Sequence, residues 1–383
     1  MTSHSSARGR ISAVFLLIFL VTAFSYLKQR FVGNTPLRPV VSAVFRPVKI
    51  DTPSNLATWP WPKAKRDTPH RGVTHWITRD GDATVVEFFD FDFGTNPNLR
   101  FEIFDQDEID QTPFDNKVDF WALGVGQAVR HLNTQFAAAH EGKVLAAWNG
   151  LFFGYDRKSH NRYAFHVAPV VLRGKVYYPG KNHRWTFGVK YQHGHPVFKT
   201  FFLPDPQTMA REFDYAAGSA QCLIKDGKPL KVQPFPPPGA TPVPQPIKST
   251  AEEAGYIPDF DHMKSCRASL GWSKDNRHLY LLFVKESDSE SGSIQALHYG
   301  MPMGGGWMVS DVQHFWQAFG VPNAINSDAG DAAQLACLRA DGKYDLVPPR
   351  LASSVMRMTF TPEFKGAPAG GAMMYLYVRD SHG

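Results

Sequence analysis

The sequence predicts an α+β protein: one large domain built on a mixed, curved β-sheet with a few flanking helices, set behind an N-terminal membrane anchor. Three observations lead there. Residues 84–93 set Phe89, Phe91 and Phe93 against Asp90 and Asp92, and after a Gly-Thr-Asn-Pro-Asn turn Leu99, Phe101 and Ile103 alternate again, as in a hairpin with one buried face. Helical spacing is confined to a few stretches dispersed among many strand-like runs. An uncharged apolar run of 17 residues, 11–27, stands almost at the start of the chain.

That run follows Arg8 and Arg10, and no small-x-small cleavage site comes after it, since Tyr26, Leu27 and Lys28 are next. It reads as an uncleaved signal anchor, with residues 1–10 as a basic cytoplasmic end and the bulk of the chain outside, periplasmic or at the cell surface. Lys28 and Arg30 on the far flank argue against that orientation. Residues 28–72 are basic and Pro-studded without a clear period and read as a linker, with the fold beginning near Val73. The net charge of +6 comes from this arm: residues 1–66 hold ten of the 41 Lys and Arg but one of the 35 acids, leaving 31 basic and 34 acidic residues beyond. The basic character is therefore membrane-proximal, and nothing points to nucleic acid.

At 383 residues and 43% hydrophobic content the chain can bury a large core, and 13% aromatics suit a sheet-rich protein or a sugar-binding cleft. Val125, Val129, Leu132 and Phe136 recur at helical spacing, with Gly142 as a stop. A short strand, 144–148, then ends at Asn149-Gly150-Leu151-Phe152-Phe153. Strands are expected over 167–178 and 184–201, with turns at Gly174 and Gly194, over 219–230 into an Asp-Gly turn, and over 266–271 and 279–284 around Lys-Asp-Asn-Arg. His166 stands beside the first of these. Residues 234–246 hold seven prolines, so the 232–262 segment is an inserted surface loop or a lid. Ser310 and Gln313 resemble a capping box for a helix with apolar Val312, Phe315, Trp316 and Phe319 that stops at Gly320. A strand over 354–361 completes the domain at 73–364, with 365–383 as a C-terminal strand or tail.

Three cysteines, Cys222, Cys266 and Cys337, lack metal-type spacing and in an exported protein allow one disulfide, for which Cys222–Cys266 is the candidate. No cofactor is implied. The acidic run Glu286, Asp288, Glu290 is a solvated loop or, in the alternative, a divalent cation site.

The stretch of greatest interest is Asn326-Ser327-Asp328-Ala329-Gly330-Asp331-Ala332, which follows a helix and a short apolar strand. Small residues there let a backbone approach a ligand, while two carboxylates would be costly to bury unpartnered. The plainer alternative is an Asp-rich turn capping the next element.

In order, an alternating hairpin, Ala-x-Asn-Gly-x-Phe-Phe, a leucine-bearing strand into Asp-Gly-Lys-Pro, Arg-x-Ser-x-Gly with a hairpin, and a helix-Gly-strand entering an Asp-Gly loop resemble the phosphodiester glycosidase family. Bacterial relatives in that family are associated with exopolysaccharide biosynthesis. The resemblance spans about residues 73–364. It places the family's Asn-Gly-Gly-Phe-Phe on 149–153, its Arg-Thr-Ala-x-Gly on 267–271 and its Asn-Leu-Asp-Gly-Gly-Gly-Ser on 326–332. Asn149, Gly150, Arg267, Asp328 and Gly330 match, whereas Leu151, Ala329, Asp331 and Ala332 depart from it.

The implied activity is hydrolysis of a glycosyl-1-phosphodiester in envelope polysaccharide or glycolipid. Such a reaction passes through an oxocarbenium-like state and expels an already ionised phosphate, so it calls for a carboxylate and a cation more than for a strong acid. Asp328 is the expected base or nucleophile, Arg267 the phosphate fork, and Asp331 a second carboxylate. Asn149, Gly150, Gly330 and His166 are expected around the sugar. The alternative is an inactive relative that binds phosphorylated glycan. Either way the partners are a phosphorylated saccharide or glycolipid and the membrane.

Overall fold

The structure is a computed structural model that describes residues 64–80, 84–156, 162–180, 185–202, 204–230, 265–286, 306–327, 330–349, 358–361 and 370–382. The expected anchor at 11–27, the Pro-rich insertion at 232–262 and the acids Asp288 and Glu290 lie outside the described residues. No helix among the described residues is long and apolar enough to cross a membrane.

In chain order the elements are β1 (Lys65–His70), β2 (Val73–Arg79), β3 (Thr84–Asp92), β4 (Leu99–Asp105), β5 (Val118–Asp119), helix α1 (Val125–Ala139), β6 (Lys143–Asn149), β7 (Gly154–Tyr155), β8 (Tyr163–Phe165), β9 (Val170–Leu172) and β10 (Lys175–Tyr178). There follow β11 (Trp185–Gln192), β12 (His195–Phe202), α2 (Pro206–Glu212), β13 (Tyr215–Lys225), β14 (Lys228–Pro229), β15 (Arg267–Trp272), β16 (His278–Glu286) and α3 (Val309–Phe319). The chain closes with β17 (Asn323–Asn326), a 3-10 turn (Gly330–Ala332), β18 (Leu335–Leu338), β19 (Tyr344–Val347), β20 (Met358–Phe360) and β21 (Met374–Asp380).

These strands form a twelve-stranded sheet along the path β1-β2-β3-β16-β15-β17-β13-β11-β12, a six-stranded sheet ordered β20-β19-β18-β6-β21-β4, and a small sheet β5-β8-β7. Every pairing among the described strands is antiparallel, where a mixed sheet was expected. The reason lies in what the helices do. β16 and β17, joined through α3, run in the same direction as a crossover would set them, but β15 lies between the two and pairs with each antiparallel.

The expected hairpin of 84–93 and 99–103 is also corrected. β3 belongs to the large sheet and β4 to the six-stranded one, so the Gly-Thr-Asn-Pro-Asn segment is a corner between sheets. Both strands still share one core. Phe91 of β3 stacks on Trp148 of β6, and Phe101 of β4 meets Phe187 and Phe198 of β11 and β12 edge-on. Burying each such side chain stabilises the fold by roughly 1.5–3 kcal/mol.

The opposite face of β3 is covered as well: Phe88 packs on Phe315, Trp316 and Phe319 of α3. Phe136 of α1 meets Tyr377 on the outside of the second sheet. The result is two sheets between two helices, with Asp90 buried rather than facing open water and Asp92, half-buried at the end of β3, accepting the Gly94 and Thr95 N–H groups of the turn that follows. Asp90 is buried against His278 at 2.8 Å.

The linker and the tail also proved structured in part. β1 lies within 28–72, pairing with β2 at the sheet edge, and β21 sits in the middle of the second sheet between β6 and β4. At α3 the expected Ser310–Gln313 box is replaced by Asp311, whose carboxylate accepts the Met308 N–H at 3.0 Å. Gln313 instead donates to the Leu223 and Leu230 carbonyls on either side of the β13–β14 turn. The three cysteines are buried and unbridged, so no Cys222–Cys266 disulfide exists.

Candidate functional site

Successive residues of a strand face opposite sides of a sheet, and β15 shows which side Arg267 takes. Ser269 accepts the Trp316 indole N–H at 2.7 Å, and a Cβ on Gly271 would strike the Trp316 ring, so the odd positions face α3. Arg267 shares that face. It is 4% exposed, and its Nε donates to the Trp307 carbonyl at 2.9 Å, just before α3 begins. The bond holds the guanidinium plane at the entrance of the strand.

The Asp-Gly loop is pinned at this strand end. The Ser327 N–H and Ser327 Oγ both donate to the Ala268 carbonyl at 2.9 Å, and the Gly330 N–H donates to the Cys266 carbonyl at 3.0 Å. Ala268 and Cys266 are the two neighbours of Arg267. The loop is thereby anchored on either side of the arginine, and Asp328, which lies outside the described residues, belongs to the two-residue interval between the anchors. Gly330 has φ +73°, a left-handed conformation that glycine adopts without the strain a Cβ brings. Asp331 follows in the 3-10 turn.

A further cation stands at the same end of the sheet. Lys285 of β16 neighbours Val284, the register partner of Arg267, and so points to the other side. It is buried, with its ammonium donating to the Ala333 carbonyl at 3.2 Å and to that of Pro348. The 327–334 crossing is therefore held by one cationic side chain directly and runs beside another. Sequence reasoning missed Lys285 because a lysine at the end of an apolar run looks like an ordinary solvated strand terminus.

Asn149 meets the far end of the same crossing, on another face. Trp148 points into the core, so Asn149 and its register partner Tyr375 point toward α1. The Asn149 Oδ1 accepts the Gln334 N–H at 3.2 Å, and the Tyr375 hydroxyl donates to the Leu123 carbonyl ahead of α1. Gly150 lies against β21: its N–H donates to the Met374 carbonyl at 2.9 Å, and a Cβ there would stand 2.3 Å from Met374 Cγ. Leu151, which departs from the family's Gly, is buried in the main core cluster. The three motif segments thus meet through residues 327–334, but Arg267 and Asn149 face different helices across it.

His166 lies elsewhere on the same edge. It is buried just after β8, its Nε2 2.7 Å from Asp105 Oδ2, while the Asn116 amide clasps its backbone, accepting its N–H at 2.7 Å and donating to its carbonyl at 3.3 Å. Asp105 ends β4, two strands from Gly150 across β21, roughly 10 Å at ordinary strand spacing. The residues after it, Asp107 to Asp115, form an acidic patch.

No protein-family model matches the chain, and no curated protein matches it by sequence. Among solved structures it is similar to the catalytic domain of zebrafish N-acetylglucosamine-1-phosphodiester alpha-N-acetylglucosaminidase, auto-inhibited by its pro-peptide, with 15% identity over 83% of this chain and 87% of that one and a TM-score of 0.47. It is also similar to a hypothetical protein from Synechocystis, with 12% identity over 83% of this chain and 64% of that one and a TM-score of 0.41.

Proposed function

We propose that the protein is a hydrolase cleaving glycosyl-1-phosphodiesters in envelope polysaccharide or glycolipid, held to the membrane by residues 11–27 with its fold outside. The observation that supports this best is the pair of anchors, Ser327 on Ala268 and Gly330 on Cys266, that brackets Arg267 with the loop bearing Asp328. One guanidinium and one carboxylate are the minimum the reaction calls for. Arg267 binds the phosphate oxygens, which its fork matches. Asp328 activates water at the anomeric carbon or attacks it directly, and Asp331 is the second carboxylate. The anomeric C–O bond breaks, the electron pair leaves with the phosphate as a monoester, and water supplies the hydroxyl of the reducing sugar. Lys285 adds positive potential beside the loop. Gly330 gives the loop its turn, Asn149 and Gly150 hold its far end, and His166 flanks the sugar side.

The test is release of reducing sugar from the methyl ester of a sugar 1-phosphate by the purified full chain, compared with Asp328→Asn. General acid–base and nucleophilic roles predict a loss of about 100-fold or more. Unchanged turnover in that variant would remove Asp328 from the mechanism. A second reading is favoured by Ala332, which is buried at the place where the family's loop carries Ser. On that reading the site binds phosphosugars without turnover, and calorimetry would show affinity where the sugar assay shows no product.

A further inference from the structure

The loop after β4 gathers carboxylates. Asp105, Asp107, Glu108, Asp110 and Asp115 fall within eleven residues. Glu108 pairs with Arg173 at 2.7 Å. One oxygen from each of Asp107, Asp110 and Asp115 lies within 4.8 Å of the others, and the three grade from buried through half-buried to exposed. An acidic cluster on a loop is ordinary by itself, and Asp107 is what sets this one apart.

Asp107 is 1% exposed. Its Oδ2 accepts the Asn116 N–H at 2.9 Å and the Tyr177 hydroxyl at 2.8 Å, whereas Oδ1 is buried with no hydrogen-bond donor among the described residues. A buried carboxylate oxygen left without a donor costs the full desolvation of that atom. The neighbours deepen the problem, since Asp110 and Asp115 set two further carboxylates beside it, and a divalent cation would satisfy all three.

We infer that Asp107, Asp110 and Asp115 bind a hard divalent cation of the calcium type, with the unpartnered Oδ1 of Asp107 as its innermost ligand. Oxygen donors alone suit calcium or magnesium, and at ordinary calcium–oxygen lengths two ligands on opposite sides of the ion stand about 5 Å apart, which the observed spacing accommodates. Water and backbone carbonyls complete the sphere. The ion ties the exposed end of the loop to its buried start, and through Asn116 it holds the backbone of His166. It is a site separate from Arg267 and the 327–334 crossing, and it stands whether or not the chain is a hydrolase.

The experiment uses the full chain, stripped with EDTA, dialysed, and titrated with calcium chloride by calorimetry. A second readout is terbium luminescence excited through tyrosine, since the Tyr177 hydroxyl is bonded to Asp107. Expected are one Ca2+ per chain with a Kd of roughly 0.1–1 mM, terbium emission that calcium displaces, and binding at least about tenfold weaker, near 1.4 kcal/mol, in Asp110→Asn combined with Asp115→Asn. Circular dichroism checks that this variant is folded, and Asp115→Asn alone, at an exposed position, gives the same comparison should the double change unfold the chain. Absence of calcium uptake by the unaltered protein, or equal affinity in the folded variants, overturns the proposal.

Discussion

The amide oxygen of Asn149 accepts the backbone N–H of Gln334 at 3.2 Å, across 185 residues of sequence. The Gln334 side chain continues the connection: its Oε1 accepts the Val125 N–H at 2.7 Å, and its Nε2 donates to the Gly370 carbonyl at 3.1 Å. Val125 opens α1, whose N-cap residue, Gly124, has no side chain to cap with. Gln127 of the helix itself reaches back to accept the Gly124 N–H, Gln334 caps the Val125 N–H from outside the helix, and Asn149 holds Gln334 in place.

Asn149→Ala leaves the buried Gln334 N–H without its acceptor, and Gln334→Ala leaves the Val125 N–H without one. Each should destabilise the fold by roughly 1–3 kcal/mol in urea unfolding. Because both changes cut one network, the double variant should lose less than the two separate losses combined. Strict additivity would mean that the two residues act independently.

Arg267→Lys keeps the charge and discards the planar fork. If the guanidinium grips a phosphate, phosphodiester turnover should fall by roughly 100-fold, the scale of removing one preorganised donor set. The melting temperature should move far less than in Arg267→Met, which discards the buried guanidinium's bond to the Trp307 carbonyl, although that carbonyl keeps the Ser265 N–H as a donor. Wild-type turnover in the lysine variant would reduce Arg267 to a structural tie.

How much of this was legible in the sequence follows from the range of the forces involved. Alternation at Phe89 and Phe91 identified β3 because a strand's period is local. The partner of β3 is not local, and two alternating runs five residues apart read the same whether they fold back as a hairpin or turn a corner between sheets. Phe88 showed the limit of period-two reasoning: its burial under α3 could not be foreseen from a pattern that assumed one wet face. The Asp-Gly loop was singled out by composition and motif order, whereas its bonds to the Ala268 and Cys266 carbonyls are long-range and left no mark in either. Lys285, Gln334 and Asp107 were invisible, since each matters through contacts with residues 9 to 209 positions away, among them Asn116, Ala333 and Val125.

The cysteines give a chemical check on the core. All three are buried and unbridged, and burial pushes the Cys222 thiol up to about 12. Since only the thiolate reacts, the native protein should leave these thiols untouched by a thiol reagent at neutral pH and yield three per chain in denaturant. Rapid labelling of the folded protein would place a cysteine at the surface, and fewer than three in denaturant would reveal a bridge.

The pair of His278 and Asp90 makes stability depend on pH in a direction that can be worked out. Burial alone would lower the His278 pKa, but the hydrogen bond and charge of Asp90, aided by Asp92 and Asp275, outweigh it and raise the value above that of an ordinary histidine. The folded state therefore holds the proton more tightly than the unfolded chain. Its contribution is present in full below about pH 6.5, the unfolded value, and is lost as pH rises through the raised folded value. Asp90, raised by its own burial, acts in a lower window that begins at its unfolded value near 3.8. Replacing His278 with Gln removes the histidine's own transition and takes from Asp90 the hydrogen bond and charge that hold its carboxyl down. Urea unfolding of both proteins at steps from pH 6 to pH 9 should show the wild-type advantage shrinking as pH climbs, and a difference that stayed constant or widened would mean that the imidazole is not protonated against Asp90 in the folded state.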